Sequence, residues 1–463
     1  MARELPSVIP ANDELLTPKQ AAHLINKNTS NISYLLQYGR INRYNPYGER
    51  VERCTSGELR ISRAELVSYT TKAEERMKSR MSALSIPDTE LAFFDVPERE
   101  RTKHVHRLHP YLGKFIPQLV EHFITRYFRP GEVVIDPFCG SGTTLVQAAE
   151  QGINSIGIDV SVFNVLMARV KLATYDLASM EREVLDIARR TVEFSRESLE
   201  GRPPRPETES KYLKAWFARR SLAEILHYSE MIPEYEYQDL LKVIMSRTAR
   251  SCRLTYHYEL ATPTRPVTGP YVCYKHRNKI CRPVTSILPR LRFYSNDTVS
   301  RLKAFSELRR PCDSFVFEGD SQDIGLEDEL PRSWLARHRT RGVFTSPPYV
   351  GQIDYHEQHR YAYELFGLER RDGLEIGPKE KGKGARARED YVARLSRAFL
   401  NVGRYLQKDA LCFVVANDRL SLFPEIFARA GLSMEKEFLR PVEDRTERDK
   451  RPYSESVFMV RAA

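Results

Sequence analysis

No apolar run in this sequence approaches the ~20 residues of a membrane-spanning helix, so no span is expected. The first residues, MARELPSVIPANDELL, hold no apolar stretch of the kind that begins a secretory signal. Cysteine is sparse: seven among 463 residues, odd in number and scattered. That excludes a disulfide framework and points to a reducing, cytoplasmic setting. There is no internal repeat and no persuasive nuclease motif. What the chain does not lack is positive charge.

The formal net charge is +10 and the pI is near 9.1, which suggests a polyanionic partner. The excess is concentrated. Residues 245–311 hold 14 Lys and Arg against three acids, Glu259, Asp297 and Glu307. The remainder is therefore close to neutral. A charge run is usually a solvated face. Here Tyr256, Tyr258, Tyr271, Tyr274, Phe293 and Tyr294 are interleaved with it, a mixture suited to phosphate contact and base stacking. Cys252, His257, Cys273, His276 and Cys281 lie in the same stretch. They could bind zinc, but they lack paired C-x2-C spacing, so no metal is assigned and they read as core cysteines and surface histidines.

The length suits about two to three domains. Residues 1–76 read as a small unit resembling a winged helix-turn-helix. Thr17 caps a helix with Pro18 at its first position, Asn31 to Tyr38 form a second helix, and Arg63 to Ala73 a third. Its bland counterpart is a three-helix packing module. Residues 77–104 are a charged, proline-punctuated linker. Residues 105–174 and 312–463 alternate apolar strands with helices. Between them, 175–311 begins helical, crosses the proline-rich run from Gly201 to Pro206, and ends in the basic segment. Gly367 to Asp390 reads as a mobile Gly-, Lys- and Arg-rich loop.

The segment from Val133 to Gln151 is strand, tight turn, helix: three apolar residues, Asp136, then Pro-Phe-Cys-Gly140-Ser-Gly142-Thr-Thr144. The glycines allow positive φ and close approach of a ligand to the backbone. The helix N-terminus offers free N–H groups. No Lys follows the second glycine, and the pattern is not G-x-G-x-x-G. Asp159 ends the next apolar run, 23 residues after Asp136, where a ribose diol is bound in nucleotide-binding α/β folds. Asp320 ends a third strand, followed by Ser321, and suits an adenine amino group. Singly, each acid reads as a loop cap. Three of them at strand ends around one Gly turn read as a cofactor site.

His109-Pro-Tyr111-Leu-Gly-Lys114-Phe-Ile-Pro117, followed by DPFCGSGTT and GIDVS, resembles the amino-methyltransferase family of DNA modification enzymes. The resemblance covers roughly residues 105–174 and 312–460. It implies S-adenosylmethionine as cofactor. Tyr111 and Lys114 would lie beside its methionine end. Asp136, Phe138, Gly140, Ser141, Gly142, Thr143 and Thr144 would form the cradle, and Asp159, Asp320 and Ser321 would hold ribose and adenine.

The chemical half is Thr345-Ser346-Pro347-Pro348-Tyr349, a strand running into two prolines that cannot continue it. An exocyclic amino nitrogen is a poor nucleophile because its lone pair is delocalised into the ring. Two acceptors that each take one amino hydrogen draw it toward tetrahedral geometry. The Ser346 hydroxyl and the Pro347 carbonyl suit that role, and Tyr349 offers a face for a flipped base. In the family, Ser before Pro-Pro goes with cytosine N4, and Asp or Asn with adenine N6. Pro311-Cys312 is the dipeptide of ring-carbon methyltransferases, but it precedes a strand instead of ending one and has no Glu-Asn-Val partner segment.

The expectation is a doubly wound, Rossmann-like, mostly parallel sheet of about seven strands, with an N-terminal helix-turn-helix unit and an inserted basic recognition domain. The expected activity is site-specific methylation of double-stranded DNA at cytosine N4, with any restriction endonuclease on a separate chain. Adenine-N6 methylation, an RNA or protein methyltransferase, and a non-catalytic DNA-binding regulator are the competing readings.

Overall fold

Pro117 cannot donate a backbone hydrogen bond, which costs nothing at the first position of a helix. Helix α1, Pro117–Tyr127, starts there. The apolar run that follows it has no polar alternation, which suits a strand covered on both faces. In the computed structural model, β1 is Val133–Asp136 and all four residues are buried. The structure describes residues 13–462 except 26–28, 38–40, 53, 56, 79–84, 89, 94–95, 97, 112, 114, 201–206, 261–262, 339 and 443–452. The proline-rich run from Gly201 to Pro206 lies outside the described residues.

The chain divides into two compact units. The larger comprises Thr102–Val414, Ser421–Ser433 and Arg461–Ala463. After β1, a Gly turn leads into α2 (Thr143–Gln151), β2 (Asn154–Asp159) and α3 (Val162–Leu172). The longer helices that follow are α4 (Leu177–Glu200), α5 (Arg219–Met231), α6 (Gln238–Cys252) and α7 (Leu288–Leu308). A short antiparallel hairpin, β3 (Tyr271–Cys273) and β4 (Lys279–Cys281), lies between α6 and α7. The sheet resumes with β5 (Ser314–Glu318), β6 (Thr340–Thr345) and β7 (Leu406–Ala416).

Within this unit β5, β2, β1, β6 and β7 lie side by side in that order, and every neighbouring pair is parallel. Numbered along the chain, these five strands run 3-2-1-4-5. The order reverses between β1 and β6. A doubly wound sheet places its ligand crevice at that reversal, beyond the C-terminal strand ends. The mostly parallel Rossmann-like sheet expected from sequence is therefore present.

The segment read as an insert is not sealed off from the sheet. Helices α4 to α7 pack on one another and α6 packs on α3. Val165, Ile187, Ile225, Ile244, Leu302 and Val316 belong to a single apolar cluster. Its basic residues divide into two groups. Arg247 and Arg301 both reach Asp297, at 2.7 and 2.8 Å, and Arg309 donates to the Leu172 carbonyl and the Thr174 hydroxyl at the end of α3. Arg253 is buried over the Tyr361 ring, 4.8 Å from its centre. By contrast Arg265, Lys275, Arg277, Lys279, Arg282, Arg290 and Arg292 are exposed.

One reading of an irregular loop is corrected. Within 367–390 the structure has turns at Asp372–Leu374 and Lys379–Lys381, and helix α8 (Ala385–Gly403) starts well before Asp390. Glu375 and Ile376 are buried. Arg394 of α8 donates to the carbonyls of Glu375 and Leu374 at 2.7 and 2.8 Å. Lys and Arg content suggested solvent, but the apolar residues between the glycines decide the packing.

The smaller unit holds the N-terminal elements. Thr17 caps the helix Pro18–Leu24 in a capping box with Gln20. Helices Thr29–Gln37 and Arg63–Lys78 follow, and Leu15–Leu16 pairs antiparallel with Ile61–Ser62. Ala21, Ala22, Ile32, Leu35, Ile61 and Leu66 form its core. The same unit contains Ser85–Pro87, which pairs in parallel with Glu437–Leu439.

Candidate active site

Because β1 and β6 are adjacent, the chain leaving Asp136 and the chain leaving Thr345 enter one crevice. The Thr345 hydroxyl donates to Asp136 Oδ1 at 2.6 Å, joining residues 209 positions apart. Thr144 Oγ1 donates to the Phe344 carbonyl at 3.2 Å, so α2 is tied to β6 as well. A cavity lies beyond these strand ends, where a doubly wound sheet places its ligand crevice.

Its lining brings together most of the residues singled out in sequence. Tyr111, Asp136, Phe138, Gly140, Ser141 and Thr143 line it, as do Asp159, Asp320, Ser321, Ser346 and Pro348. Gly142, Thr144, Pro347 and Tyr349 are not among the lining residues. Gly142 has φ +78° at the N-cap of α2, and a Cβ there would meet Ala168 at 3.0 Å. Thr144 is fully buried. Pro347 is buried and Tyr349 half-buried. Lys114 lies outside the described residues. Cys312 sits before β5, away from the cavity lining.

The Gly turn is shaped by its neighbours. Gly140 has φ +49°, and a Cβ there would come within 2.9 Å of the Tyr111 hydroxyl. The Gly140 N–H donates to Asp159 Oδ2 at 2.9 Å. Asp159 Oδ1 also accepts from the Ser161 N–H at 2.9 Å and from Asn164 Nδ2 at 3.0 Å. The Lys171 ammonium donates to the Ser141 carbonyl, and the Ser321 hydroxyl donates to that of Pro137. Thus Asp159, at the end of β2, and Ser321, just after β5, are tied to the loop after β1.

Burial governs the titrations here. It pushes Asp136 up to about 6, against the hydroxyl and N–H donors that oppose the shift. It raises Asp159 despite its three donors. The Cys139 thiol, on the cavity wall, is held well above its ordinary value by burial and by Asp159, so it remains a protonated wall residue. Tyr111 stacks on Tyr355 and His359, with ring centres 6.1 and 5.8 Å away. Burial, reinforced by Arg250 and Arg253, holds His359 down at about 3, so this platform is uncharged.

Sequence reading missed several wall residues: Gly113, Phe115, Asn164, Tyr355, Leu374, Glu375 and Ile376. Glu375 accepts from the Tyr355 and His356 N–H groups at 3.1 and 2.8 Å and pairs with the His356 ring. Its one available signal was the apolar pair flanking it, Leu374 and Ile376, inside an otherwise charged stretch.

The cavity suits a nucleoside joined to a polar tail. Its walls carry three carboxylates at strand ends beside a turn whose Cβ space is closed by Tyr111. Ser141 Oγ, buried on that wall, has no hydrogen-bond partner among the described residues.

A family model described as DNA methylase matches residues 39–168. The type II methyltransferase M.MjaII of Methanocaldococcus jannaschii is 40% identical over an alignment of 524 positions that covers 97% of this chain and 97% of that one. The chain belongs to the amino-methylating type II DNA methyltransferases. Two further type II methyltransferases match shorter stretches. M.MvaI of Kocuria varians is 32% identical over 100 residues, covering 21% of each chain. M.BsoBI of Geobacillus stearothermophilus is 32% identical over 93 residues, covering 19% of this chain and 18% of its own. Among solved structures, the rRNA methyltransferase aviRa from Streptomyces viridochromogenes superposes with a TM-score of 0.30 at 13% identity, over 77% of this chain and 89% of that one. As a member of this family the methyltransferase uses S-adenosylmethionine and acts on DNA. Among the described residues, no helix is long and apolar enough to cross a membrane.

Proposed function

We propose that this methyltransferase transfers a methyl group to N4 of cytosine in duplex DNA, at a short defined sequence, with the target base rotated out of the helix. One observation carries the reading: the Gly turn after β1 and the Ser-Pro-Pro-Tyr turn after β6 border a single cavity.

The cofactor, when bound, supplies a methyl group made electrophilic by its cationic sulfur. The chain's own residues do the rest. Asp159 holds the ribose hydroxyls, Asp320 with Ser321 the adenine edge, and the loop from Asp136 to Thr144, with Tyr111 and Lys114, the methionine end. Ser346 Oγ and the Pro347 carbonyl accept the two amino hydrogens of the base. The Pro348 carbonyl is already engaged by the Tyr391 hydroxyl at 2.8 Å, which fixes the turn that presents Ser346. Tyr349 stacks on the base. In-line transfer then depends on positioning, for which well-oriented groups supply up to ~7–11 kcal/mol. The departing amino proton is left to water.

A serine at position 346 favours cytosine N4 over adenine N6. The exposed basic hairpin β3–β4 and the N-terminal helical unit are the DNA contacts. Mass spectrometry of nucleosides from DNA incubated with enzyme and S-adenosylmethionine tests the base directly. N4-methylcytosine is expected, and N6-methyladenine as the product would replace this reading.

A further inference from the structure

The hairpin β3–β4 has too little apolar cover to hold itself. Each strand has three residues, and a lone two-stranded hairpin is marginal in water. Val272, Tyr274 and Ile280 are 61%, 56% and 73% exposed, and of its core-type side chains only Cys273 is buried. Its turn also carries two consecutive non-glycine residues with left-handed backbone, Arg277 and Asn278, at φ +56° and +59°. Something other than packing fixes this shape.

Four side chains converge behind it. His257, Cys273, His276 and Cys281 each offer one ligand atom, and the four atoms all lie within 4.8 Å of one another. His276 Nδ1 is 3.0 Å from Cys281 Sγ, and Cys273 Sγ is 3.8 Å from His257 Nδ1. Around a tetrahedral zinc with ordinary Zn–S and Zn–N bonds, ligand atoms stand about 3.3–3.8 Å apart. The four are therefore within a small adjustment of that geometry. Cys273 and His276 are three apart, the spacing of a metal knuckle, with the tight turn Tyr274–His276 between them. A search for C-x2-C pairs passes over this C-x2-H unit. Two thiols and two imidazoles are the donor set that selects zinc over hard cations.

We propose that His257, Cys273, His276 and Cys281 bind one zinc ion, which clasps the hairpin to the chain leaving α6. All four positions are filled by protein, so the ion is structural and leaves no open position for a substrate or water. Binding releases two thiol protons to solvent, and two thiolates with two neutral imidazoles balance the charge of the ion. Lys275, Arg277 and Lys279 stand exposed around the site. The clasp holds these cations on a rigid loop, with Tyr274 stacked on Tyr258 at 4.4 Å and Tyr258 on Tyr256 at 5.0 Å.

The test uses the full-length enzyme purified under reducing conditions without chelator. Elemental analysis should give one zinc per chain. Cobalt(II) exchanged into the site should show the visible absorption of a tetrahedral thiolate complex. The double variant Cys273→Ser/Cys281→Ser should lose the ion, whereas Cys54→Ser, altered in the smaller unit, should keep it. S-adenosylmethionine binding by the double variant should stay within about twofold, which shows that the molecule is folded. Less than a tenth of an equivalent of zinc, both as purified and after dialysis against zinc, would sink the proposal. So would a Cys273–Cys281 disulfide in the native enzyme, or zinc retained by the double variant.

Discussion

Around the cofactor cavity, polar groups are turned inward and held. Asp159 accepts three hydrogen bonds, Asp136 bridges to β6, and Lys171 reaches a loop carbonyl. At the hairpin β3–β4 the reverse holds: Lys275, Arg277 and Lys279 stand exposed, and the strands bury almost nothing. The first arrangement is preorganised for a ligand of fixed shape, where donors and acceptors must be in place beforehand. The second suits a polyanion recognised mostly by charge, where counterion release and not close fit supplies affinity. The contrast also explains why summing charge over 245–311 overstates the binding surface. Four of those 14 cations, Arg247, Arg253, Arg301 and Arg309, are committed to Asp297, to a carbonyl group or to an aromatic ring inside the unit.

If the cavity is the reacting site, Ser346→Ala should give the largest effect. Methyl transfer to DNA should fall by roughly 10²–10³, the usual cost of one preorganised polar group. S-adenosylmethionine binding, measured by calorimetry, should barely change. A variant that loses cofactor binding instead would move Ser346 out of the chemical half.

Gly140→Ala tests the cofactor half. The new Cβ meets the Tyr111 hydroxyl at 2.9 Å, on a backbone that disfavours a side chain. Tyr111 is stacked between two rings and cannot yield. Strain of about 1–3 kcal/mol predicts a cofactor Kd raised roughly tenfold to a hundredfold. DNA affinity in the absence of cofactor should be untouched.

Asp136 sharpens the comparison through pH. Burial lifts it from 3.8 to about 6, so between those values the folded state holds a proton that the unfolded chain has lost. Stability from this group is therefore present below pH 3.8 and falls as pH rises through about 6, by roughly 1–3 kcal/mol in all. In Asp136→Asn, an isosteric amide that still accepts from Thr345, that decline should vanish from denaturant titrations across the window. An unchanged profile would show that the carboxylate is better solvated than its burial implies.

The smallest change concerns the exposed region. Replacing Lys275, Arg277 and Lys279 together by Ala should weaken DNA binding by about tenfold. It should also lower the salt-dependence slope by up to ~2.7, near 0.9 for each phosphate that is no longer neutralised. Cofactor affinity should not move. A DNA affinity that ignores all three would place the phosphate-binding cations elsewhere on the protein.

Much of the site was legible because its parts are local. Val133 to Gln151 spells strand, turn and helix through neighbouring residues alone, and the positive-φ glycines fall where the pattern put them, at 140 and 142. Thr17 with Gln20 caps the first N-terminal helix for the same reason. Glu375 was not legible, because its place on the wall depends on Arg394 and on the backbone of residues 355 and 356, none of them adjacent in sequence. Tyr355 was passed over likewise, since its position follows from stacking on Tyr111. His257, Cys273, His276 and Cys281 were named in sequence but set aside, because a spacing rule counts residues along the chain, while the approach of their ligand atoms is made only by folding.

The sequence by itself determined the strand-ending acids, the glycine bend and the rigid proline pair, since each follows from φ restrictions and hydrogen-bonding capacity within a few residues. Only the tertiary structure decided that Asp136 and Ser346 share a cavity. That adjacency comes from pairing β1 with β6 instead of with β7, a choice made by strand registers and the burial of both sheet faces over the whole unit, which no local stretch encodes.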